Sequence, residues 1–454
     1  MFKTFKNALK VKEIRQKLLY TFVMMIIIRL GCQLPIPGTS EAAIDSLMGS
    51  LANNDAYSFF SAFTGGSLEK MSVFALSITP YITSSIIMQL LTIAIPKLEE
   101  MQKDGESGRK KIAKITRYVT VALAVVEAIA MAIGFGNQGV FGDVDSMTKF
   151  QYFTTIFTVV VTMTAGSAVL MWIGERITEK GVGNGTSIIL MINIIARIPS
   201  DLVTLYESKV KITETNGRSV GAAVLAAVII VAVIVAMIAF VVILQAGYRK
   251  IAVQYAKKVQ GRQMVGGNSS HIPLKVNTAG VVPVIFASSL MQFPIIISSV
   301  FGKSAGDGTV WGTILKVLNS GSWFNIDSPK EFAYTGGFVI YALLVVAFAY
   351  FYTSITFNPI EVANNMKKSG GFIPGIRPGK PTEEYLTKIL NYIIFIGAVG
   401  LLIVAGLPII FSGVFDASVS FAGTSLIIVV GVILETISKI ESMMVVRNYK
   451  GFLD

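Results

Sequence analysis

The chain has 454 residues, of which 53% are hydrophobic and only 15% are charged, and its mean hydropathy is +0.66. Soluble domains carry about 25% charged residues, so this composition excludes an ordinary soluble protein and indicates a membrane protein. One Cys and one His exclude a disulfide framework and a multi-histidine metal site, whereas the net charge of +12 fits nucleic acid, anionic lipid or membrane topology.

Ten apolar segments are long enough to be transmembrane helices, because a span requires about 20 mainly apolar residues. The fifth is short and contains Asn193, so we expect it to lie among other helices rather than against lipid. The sequence therefore predicts an all-α membrane protein. We place the spans at about 18–37, 71–95, 116–136, 152–173, 185–199, 219–246, 278–301, 335–357, 386–407 and 420–437.

Lys and Arg are distributed unevenly between the loops. The two termini and the alternate loops on their side of the membrane hold 29 of the 39, and the loops on the other side hold seven. The positive-inside rule places the basic side, with both termini, in the cytoplasm. Ten spans divide into an N-terminal half at 1–199 and a C-terminal half at 200–454. Because five is odd, any structural repeat between these halves must be inverted in the membrane.

A half-apolar piece precedes the second span, and a Gly65-Gly66 break and the Glu69/Lys70 charge pair separate the two. Non-helical backbone at membrane depth is tolerated only where protein or a water-filled cavity surrounds it. Since loop 38–57 is external, the break predicts a cavity that opens to the outer side. Arg29 lies near the outer end of the first span, where its long side chain can extend to the interface.

Spans two and seven are polar for helices that face lipid. Small and hydroxyl side chains permit close, hydrogen-bonded helix contacts, which fits either ordinary packing or an interface that opens and reseals. Glu127, in span three, fits a structural role as well as a gating role. The polar positions are Thr79, Thr83, Ser84, Ser85 and Gln89 in span two, and Ser288, Ser289 and Gln292 in span seven.

Two cytoplasmic loops, at about 247–277 and 358–385, are too long to be simple connectors. The second carries Arg377 in a hairpin tip stiffened by Pro and Gly. One explanation is retention of topology plus attraction to anionic lipid. The other is docking of a large anionic partner such as ribosomal RNA, whose phosphates Lys and Arg neutralise. The first loop has no acidic residue and contains Arg249, Lys250, Lys257, Lys258, Arg262 and Lys275.

The sequence offers little support for an enzyme, because no nucleophile–base pair, paired carboxylates or phosphate loop stands out. The glycine-rich stretch at 179–187 lacks the G-x-G-x-x-G spacing and is predicted to be a tight turn into span five. We expect no cofactor and no metal. A secondary transporter for a small solute is the alternative, since transporters share inverted repeats and broken helices.

Several long motifs, in order along nearly the whole chain, resemble the bacterial SecY family of protein-translocation channels. They are RLGCQLPIPG, GGSLEKMSVFALSITPYITSSIIMQLL, DGESGRKKIAKITRY, GERITEKGVGNGTSI, HIPLKVNTAGVVPVIFASS, FNPIEVANNMKKSGGFIPGIRPG and GTSLIIVVGVILE. The resemblance implies ten helices in two inverted five-helix halves around an hourglass pore in the bacterial plasma membrane. It also implies a passive channel for unfolded secretory and membrane proteins, with SecE and SecG as membrane subunits and SecA or the ribosome as the driving partner.

The resemblance also assigns residues to elements of the channel. A plug at about 57–70 would include Phe59, Phe60, Phe63, Gly65, Gly66 and Leu68. A pore ring would consist of Ile82, Ile86, Leu190, Ile194, Leu290 and Ile428, with Leu190 and Leu290 in place of the isoleucines expected from the family. A lateral gate to the lipid would comprise Thr83, Ser84, Ser85, Gln89, Glu127, Ser288, Ser289 and Gln292. The motor or the ribosome would contact Arg249, Lys250, Lys257, Lys258, Arg262 and Arg377.

The pattern of the implied ring agrees with this assignment. Ile82 and Ile86 are four residues apart and share one helical face, as do Leu190 and Ile194. A transporter site needs convergent polar side chains at the midplane, so an aliphatic constriction disfavours that alternative.

Overall fold

The structure is a computed structural model. It describes residues 9–39, 44, 64–136, 140–141, 148–206, 220–255, 258–260, 263–265, 269–300, 309–319, 323, 335–415 and 424–450. The chain forms two compact units, one of Met1–Glu207, Phe293–Gly321 and Val432–Asp454 and the other of Ser208–Gln292 and Ser322–Gly431. Phe59, Phe60, Phe63, Lys257 and Arg262 lie outside the described residues, as do the side chains of Lys258 and Gln292.

The described secondary structure is mainly helical. In chain order the helices are α1 (Lys12–Gly31), α2 (Thr79–Ala94), α3 (Pro96–Lys103), α4 (Gly105–Gly136), α5 (Lys149–Lys180), α6 (Gly185–Leu205), α7 (Val220–Ala246), α8 (Val282–Val300), α9 (Val310–Leu318), α10 (Gly336–Thr356), α11 (Pro359–Lys368), α12 (Lys380–Phe415) and α13 (Thr424–Lys450).

Six stretches of the described residues are helical, long and apolar enough to cross a membrane, and the bent pair α2 and α3 would make a seventh. The six coincide with predicted spans three to six, eight and nine, so these helices are confirmed. The predicted total of ten stays a prediction. The six stretches are Gly105–Gly136, Lys149–Lys180, Gly185–Val203, Ala227–Ala246, Gly336–Lys368 and Lys380–Leu407.

The second predicted span begins at Thr79 instead of residue 71, and its predicted start was therefore wrong. The backbone φ angles of Met71 and Ser77 are 41° and 53°, left-handed values that interrupt a right-handed helix. Pro80 then occupies the first turn of α2, where its missing N–H removes no helical hydrogen bond. Residues 64–78, here called the pre-helix segment, are consequently a run of turns.

A sharp bend of 102° separates α2 from α3. Ile95 between them is extended, with φ of −112° and ψ of 111°. Pro96 explains this conformation, because it disfavours helical backbone at the residue before it and has no N–H to continue the helical ladder. Short, charged α3 thus leaves the axis of the apolar helix from which it emerges. Its charged side chains are exposed at Lys97, Glu99, Glu100 and Lys103.

The apolar core of the first unit joins α4 and α5 to the pre-helix segment. Ala124, Ala128 and Ala132 recur at four-residue spacing, so they share one face of α4 and permit close approach. Gly166 of α5 has the same effect, since a Cβ there would lie 1.9 Å from the carbonyl oxygen of Val73. Close backbone packing therefore holds the pre-helix segment against α5.

The glycine-rich stretch before α6 is a tight turn, as predicted. Gly183 has a φ of 86°, and the side chain of Asn184 caps α6 by accepting a hydrogen bond of 3.1 Å from the Thr186 N–H. A Cβ at Gly185 would lie 1.9 Å from the carbonyl oxygen of Gly174, so the turn brings the start of α6 against α5.

The two long basic loops join in a sheet that the sequence did not predict. Its strands are β1 (Tyr248–Tyr255), β4 (Ser269–Lys275) and β5 (Gly371–Phe372), in the order β4-β1-β5 and all antiparallel. A separate hairpin consists of β2 (Lys258–Gln260) and β3 (Gln263–Val265). The inner face of the sheet packs on α11 and α12 around Ile251, Val253, Leu274, Met366 and Leu386.

Candidate functional site

Four of the six predicted ring positions lie in the first unit, on α2 and α6. Ile82 and Ile86 are half-buried, whereas Leu190 is buried and Ile194 is only 2% exposed. Each pair is four residues apart within a continuous helix, so each pair shares one face. The first unit therefore offers two aliphatic helix faces at the predicted positions.

The remaining two ring positions belong to the second unit and differ from each other. Leu290 on α8 is 53% exposed, and Ile428 on α13 is buried at 3%. Because Leu290 is so exposed, its side chain contributes little to the apolar core of its own unit. The convergence of all six positions on one axis stays a prediction.

Hydroxyl groups at the predicted gate positions donate to carbonyl groups of their own helices. The Thr83 hydroxyl donates to the Thr79 carbonyl at 3.1 Å, and the Ser84 hydroxyl donates to the Pro80 carbonyl at 2.7 Å. Such bonds satisfy the polar group within the helix. A helix face with such short, internally bonded side chains needs no hydrogen bonds from a neighbouring helix.

On α8 the arrangement differs in part, because a side-chain hydrogen bond also joins Ser288 to Tyr341 of α10. The Ser288 hydroxyl donates to the Val284 carbonyl at 2.9 Å, whereas Ser289 is exposed. On the other predicted gate helices, Ser85 and Glu127 are half-buried, and Gln89 is exposed. Their assignment to one gate stays a prediction.

The pre-helix segment is the most irregular described part of the first unit. Gly65 and Gly66 have φ angles of 65° and 79°, which confirms the predicted break, and Leu68 is buried. Left-handed backbone costs about 1–2 kcal/mol at a residue other than glycine, so Met71 and Ser77 need compensating contacts. Ordered hydrogen bonds to other parts of the unit supply them.

One set of compensating bonds comes from the chain that follows α1. The Ile36 N–H donates to the Met71 carbonyl, and the Val73 N–H donates to the Leu34 carbonyl, each at 2.9 Å. Within the segment, the buried Ser67 hydroxyl lies 2.8 Å from the Thr64 carbonyl oxygen and 2.9 Å from the Phe74 carbonyl oxygen. These contacts close the segment on itself and fix it to the end of α1.

A second set comes from α6, on the face formed by Asn193, Arg197 and Asp201, here called the polar face of α6. Asn193 is 1% exposed, and its amide Nδ2 donates to the Ser77 hydroxyl at 3.1 Å. The burial of Asn193 confirms that it does not face lipid. One turn further on, the guanidinium of Arg197 donates from Nη1 to the Glu69 carboxylate. Its Nε lies 3.4 Å from the Asp201 carboxylate, so two carboxylates flank this cation.

Arg29 completes the surroundings of the segment. Its Nη1 donates to the Gly65 carbonyl at 3.2 Å, so the side chain turns to the protein instead of extending to the interface. A Cβ on Gly65 would lie 2.8 Å from both Arg29 Nη1 and the Asn193 Cα. Glycine at this position therefore allows α6 and the Arg29 side chain to approach the backbone closely.

The predicted docking residues lie on the basic sheet, formed by β4, β1 and β5, and on the adjoining tip. Arg249 and Lys250 are exposed on β1, and Arg377 is exposed in the tip between β5 and α12. The tip is held by left-handed Gly375 and by the Thr382 hydroxyl, which donates to the Arg377 carbonyl at 2.9 Å. Cations from two distant loops are thus carried by one folded element.

Sequence reasoning missed the polar face of α6. Its signal was present, because Asn193, Arg197 and Asp201 recur every four residues in an otherwise apolar stretch. It also missed the bond of 2.7 Å from Arg117 on α4 to Glu175 on α5. The residues that they contact on other elements lie far away in the sequence. The spacing therefore identifies the polar face of α6 but does not identify those partners.

Comparison with known protein sequences identifies one family. A sequence model of the SecY family matches residues 72–437. The chain is 41% identical over 458 aligned residues to the protein translocase subunit SecY of Halalkalibacterium halodurans, and the alignment covers 100% of both chains.

Solved structures are similar over nearly the whole chain. One, described as "The structure of a protein conducting channel", has a TM-score of 0.61 at 18% identity and covers 95% of this chain and 93% of that chain. Another, described as Sec61 in the canine ribosome-channel complex from the endoplasmic reticulum, has a TM-score of 0.57 at 16% identity with the same coverage. At these identities the structural likeness establishes the fold.

Proposed function

The chain belongs to the SecY family, and from that premise we propose that it forms the polypeptide pore of a protein translocase. The observation that carries this proposal is the similarity to a translocase subunit over the full length of both chains. The chain is a multi-pass membrane protein. We place it in the bacterial plasma membrane with both termini in the cytoplasm, because the basic loops mark the cytoplasmic side.

The proposed constriction is a ring of aliphatic side chains. Branched apolar groups offer a passing polypeptide no hydrogen bonds, so the polypeptide slides without binding. An empty apolar constriction also loses its water, which keeps ions from leaking. The ring consists of Ile82, Ile86, Leu190, Ile194, Leu290 and Ile428.

Apolar segments leave this pore sideways into lipid through the proposed gate between α2 and α8. Each Leu or Ile in such a segment contributes roughly −0.3 to −0.6 kcal/mol to insertion, and a central Arg or Lys opposes it by about 2.5–3.5 kcal/mol. The internally bonded hydroxyl groups of Thr83 and Ser84 suit a surface that must separate and reseal.

The energy for transport comes from partners in this proposal, and the chain itself binds no nucleotide. The related Sec61 channel has been solved in a ribosome–channel complex, which supports the ribosome as one partner. The basic sheet and Arg377 supply the cations that would contact ribosomal RNA or the SecA motor. SecE and SecG are the proposed membrane subunits.

Site-specific photocrosslinking tests the pore. A photoreactive residue at Ile82 or Leu290 should form adducts with a stalled secretory chain in membranes. Val231 on α7 is exposed and predicted to face lipid, so the same residue there serves as the control. Failure to form adducts at Ile82 and Leu290, together with saturable uptake of a small solute by the reconstituted protein, would overturn the proposal in favour of a transporter.

A further inference from the structure

We propose that α9 is an interfacial anchor whose apolar face lies in the lipid of the outer leaflet of the bilayer. The proposed function assigns no role to this helix. The inference rests only on the proposed orientation, in which the loop at 302–334 is on the outer side. It starts from the side chains of α9 and from one hydrogen bond that places this helix beside the end of α8.

The length of α9 excludes it as a further transmembrane span. Its nine residues extend about 14 Å, less than half of the roughly 30 Å of a hydrocarbon core. It follows predicted span seven and precedes predicted span eight. A helix of this length either lies along the membrane surface or projects into water, and its side chains distinguish between the two.

The side chains of α9 form an apolar side and a polar side. Val310 is 80% exposed, Trp311 is 43% exposed and Ile314 is 42% exposed. Residues one and four positions apart lie within about 100° of each other around a helix, so these three form one continuous face. Thr313 and Lys316, three residues apart, lie on another side. A large exposed apolar face opposite polar residues is typical of a helix in a membrane interface.

The indole of Trp311 fixes the position of this face. Its Nε1–H donates to the hydroxyl group of buried Ser298 at 2.8 Å. Ser298 lies in the last turn of α8, which ends at Val300, and both partners belong to the first unit. The bond therefore holds α9 beside the outer end of α8. In the proposed orientation this is the depth at which α8 leaves the hydrocarbon.

The same bond satisfies the polar group of the exposed ring. The Nε1–H is the only hydrogen-bonding group of a tryptophan side chain, and at a membrane surface it usually remains near water. In Trp311 this donor is bonded to the protein. The exposed part of the ring is consequently apolar alone, which favours contact with acyl chains over contact with water.

The remaining parts of α9 are bonded or buried within the protein. The Thr309 side chain caps the helix by accepting a hydrogen bond of 3.1 Å from the Gly312 N–H. Gly312 and Leu315 are buried, so protein covers that side of the helix. The exposed apolar face is thus the side on which α9 meets its surroundings.

Lipid is the occupant that these observations favour. The chain is a multi-pass membrane protein, so its lipid-covered surface extends to the ends of its spans. The exposed face of α9 adjoins one such end and consists of Val310, Trp311 and Ile314, without a charged group. Tryptophan is enriched at membrane interfaces, which agrees with this placement.

Thiol modification of two adjacent residues tests the placement. Thr313 and Ile314 are both exposed, but only Ile314 lies on the apolar face. A charged, impermeant maleimide is added to the outer side of spheroplasts that contain Thr313→Cys or Ile314→Cys. We expect Thr313→Cys to react at least tenfold faster. The natural chain, whose sole cysteine is buried, gives the background, and labelling after denaturation gives the total of reactive thiols.

Equal rates of modification from the outer side would overturn the proposal. Modification of Thr313→Cys from the cytoplasmic side alone would overturn the proposed orientation and this proposal with it. Neither rate depends on transport. Failure of the photocrosslinking test at Ile82 and Leu290 would instead overturn the proposed pore, so the two failures are distinguishable.

Tryptophan fluorescence distinguishes lipid from a protein that covers the same face. The chain has three tryptophans, of which Trp172 and Trp311 are exposed and Trp323 is 2% exposed. Trp172→Phe leaves one exposed and one buried indole. In vesicles of brominated phosphatidylcholine, this variant should lose at least twice as large a fraction of its emission as the Trp172→Phe/Trp311→Phe variant. Iodide in the aqueous phase should quench both variants weakly.

Equal quenching of the two variants by brominated lipid would overturn the proposal. Strong quenching of Trp311 by iodide would show that the face is open to water. Quenching of Trp311 by neither reagent would show that another protein segment covers it. Each of these results would exclude lipid as the occupant of the apolar face of α9.

Discussion

Two charged regions of this chain use charge in opposite ways. Around the pre-helix segment, Arg197 is flanked by Glu69 and Asp201 of the same unit and is largely buried. On the basic sheet, Arg249 and Lys250 are both exposed near the start of β1, whose buried side chains Ile251 and Val253 pack on the helices beneath. The first arrangement restrains the fold, whereas the second leaves cations for a partner.

The difference follows from what surrounds each cation. A buried charge requires a partner, because desolvation without one is costly. An exposed Lys or Arg on a strand stays hydrated, so it carries no desolvation cost while no ligand is bound. We therefore expect changes near the pre-helix segment to alter stability and gating, and changes on the basic sheet to alter docking alone. Four predictions test this division, from the largest expected effect to the smallest.

Gly65→Ala should have the largest effect on stability. The φ of 65° costs alanine about 1–2 kcal/mol. The overlap with the Asn193 backbone adds about 1–3 kcal/mol. Thermal unfolding of the purified protein measures the sum. Gly66→Ala is the matched control, since its φ is 79° but the nearest atom to its Cβ is 3.6 Å away. Equal losses in the two variants would show that packing against α6 is unimportant.

Arg377→Glu should impair motor- or ribosome-driven export roughly tenfold or more, because a hydrogen bond to a charged group contributes about 1.5–3 kcal/mol. Thermal stability and membrane insertion of the protein should be unchanged, since the side chain is exposed. Lys368→Glu, also exposed at the end of α11, controls for charge reversal on the same side. Normal export by the Arg377 variant would remove this residue from the docking surface.

Asn193→Ala should cost about 0.5–1.5 kcal/mol, because it removes the hydrogen bond from Asn193 to the buried Ser77 hydroxyl. A double-mutant cycle with Ser77→Ala isolates the pair, and the expected coupling is about 0.5–1.5 kcal/mol. Additive losses, measured by thermal unfolding, would mean that α6 does not hold the segment at this point.

Ser84→Ala should have the smallest effect, within about 0.5 kcal/mol. Its hydroxyl donates to Pro80 of its own helix, so its removal leaves no group of another helix unsatisfied. Thermal stability and export rate together check this expectation. A large loss of either would show that the hydroxyl makes contacts beyond α2 during opening.

Much of the helical fold was predictable, because membrane insertion depends on composition over long windows. The start of α2 was not predictable in this way. Met71 and Ser77 are held in left-handed backbone by Ile36, Leu34 and Asn193, which are distant in sequence. The apolar sequence of residues 71–78 favours a helix, but these hydrogen bonds to distant residues hold the segment in turns.

The candidate site likewise has some features that the sequence predicted and others that only the fold revealed. Two consecutive glycines followed by a charge pair favour a break in an apolar run, so the interruption at Gly65-Gly66 was predicted from the sequence. The basic sheet was not predicted, since Gln254 pairs with Phe372, which lies 118 residues further along the chain. Likewise, the charge on Glu69 was noticed, but its partner Arg197 was identified only from the fold.

The right-angled junction at Ile95 limits how α2 can move. In the proposed topology, a shift of α2 along its own length toward the outer side would move α3, with Lys97 and Glu99, into hydrocarbon. Each such charge opposes that displacement by about 2.5–3.5 kcal/mol at mid-depth. In that topology the short helix would oppose sliding of α2 along its axis and would leave α2 free to tilt or rotate.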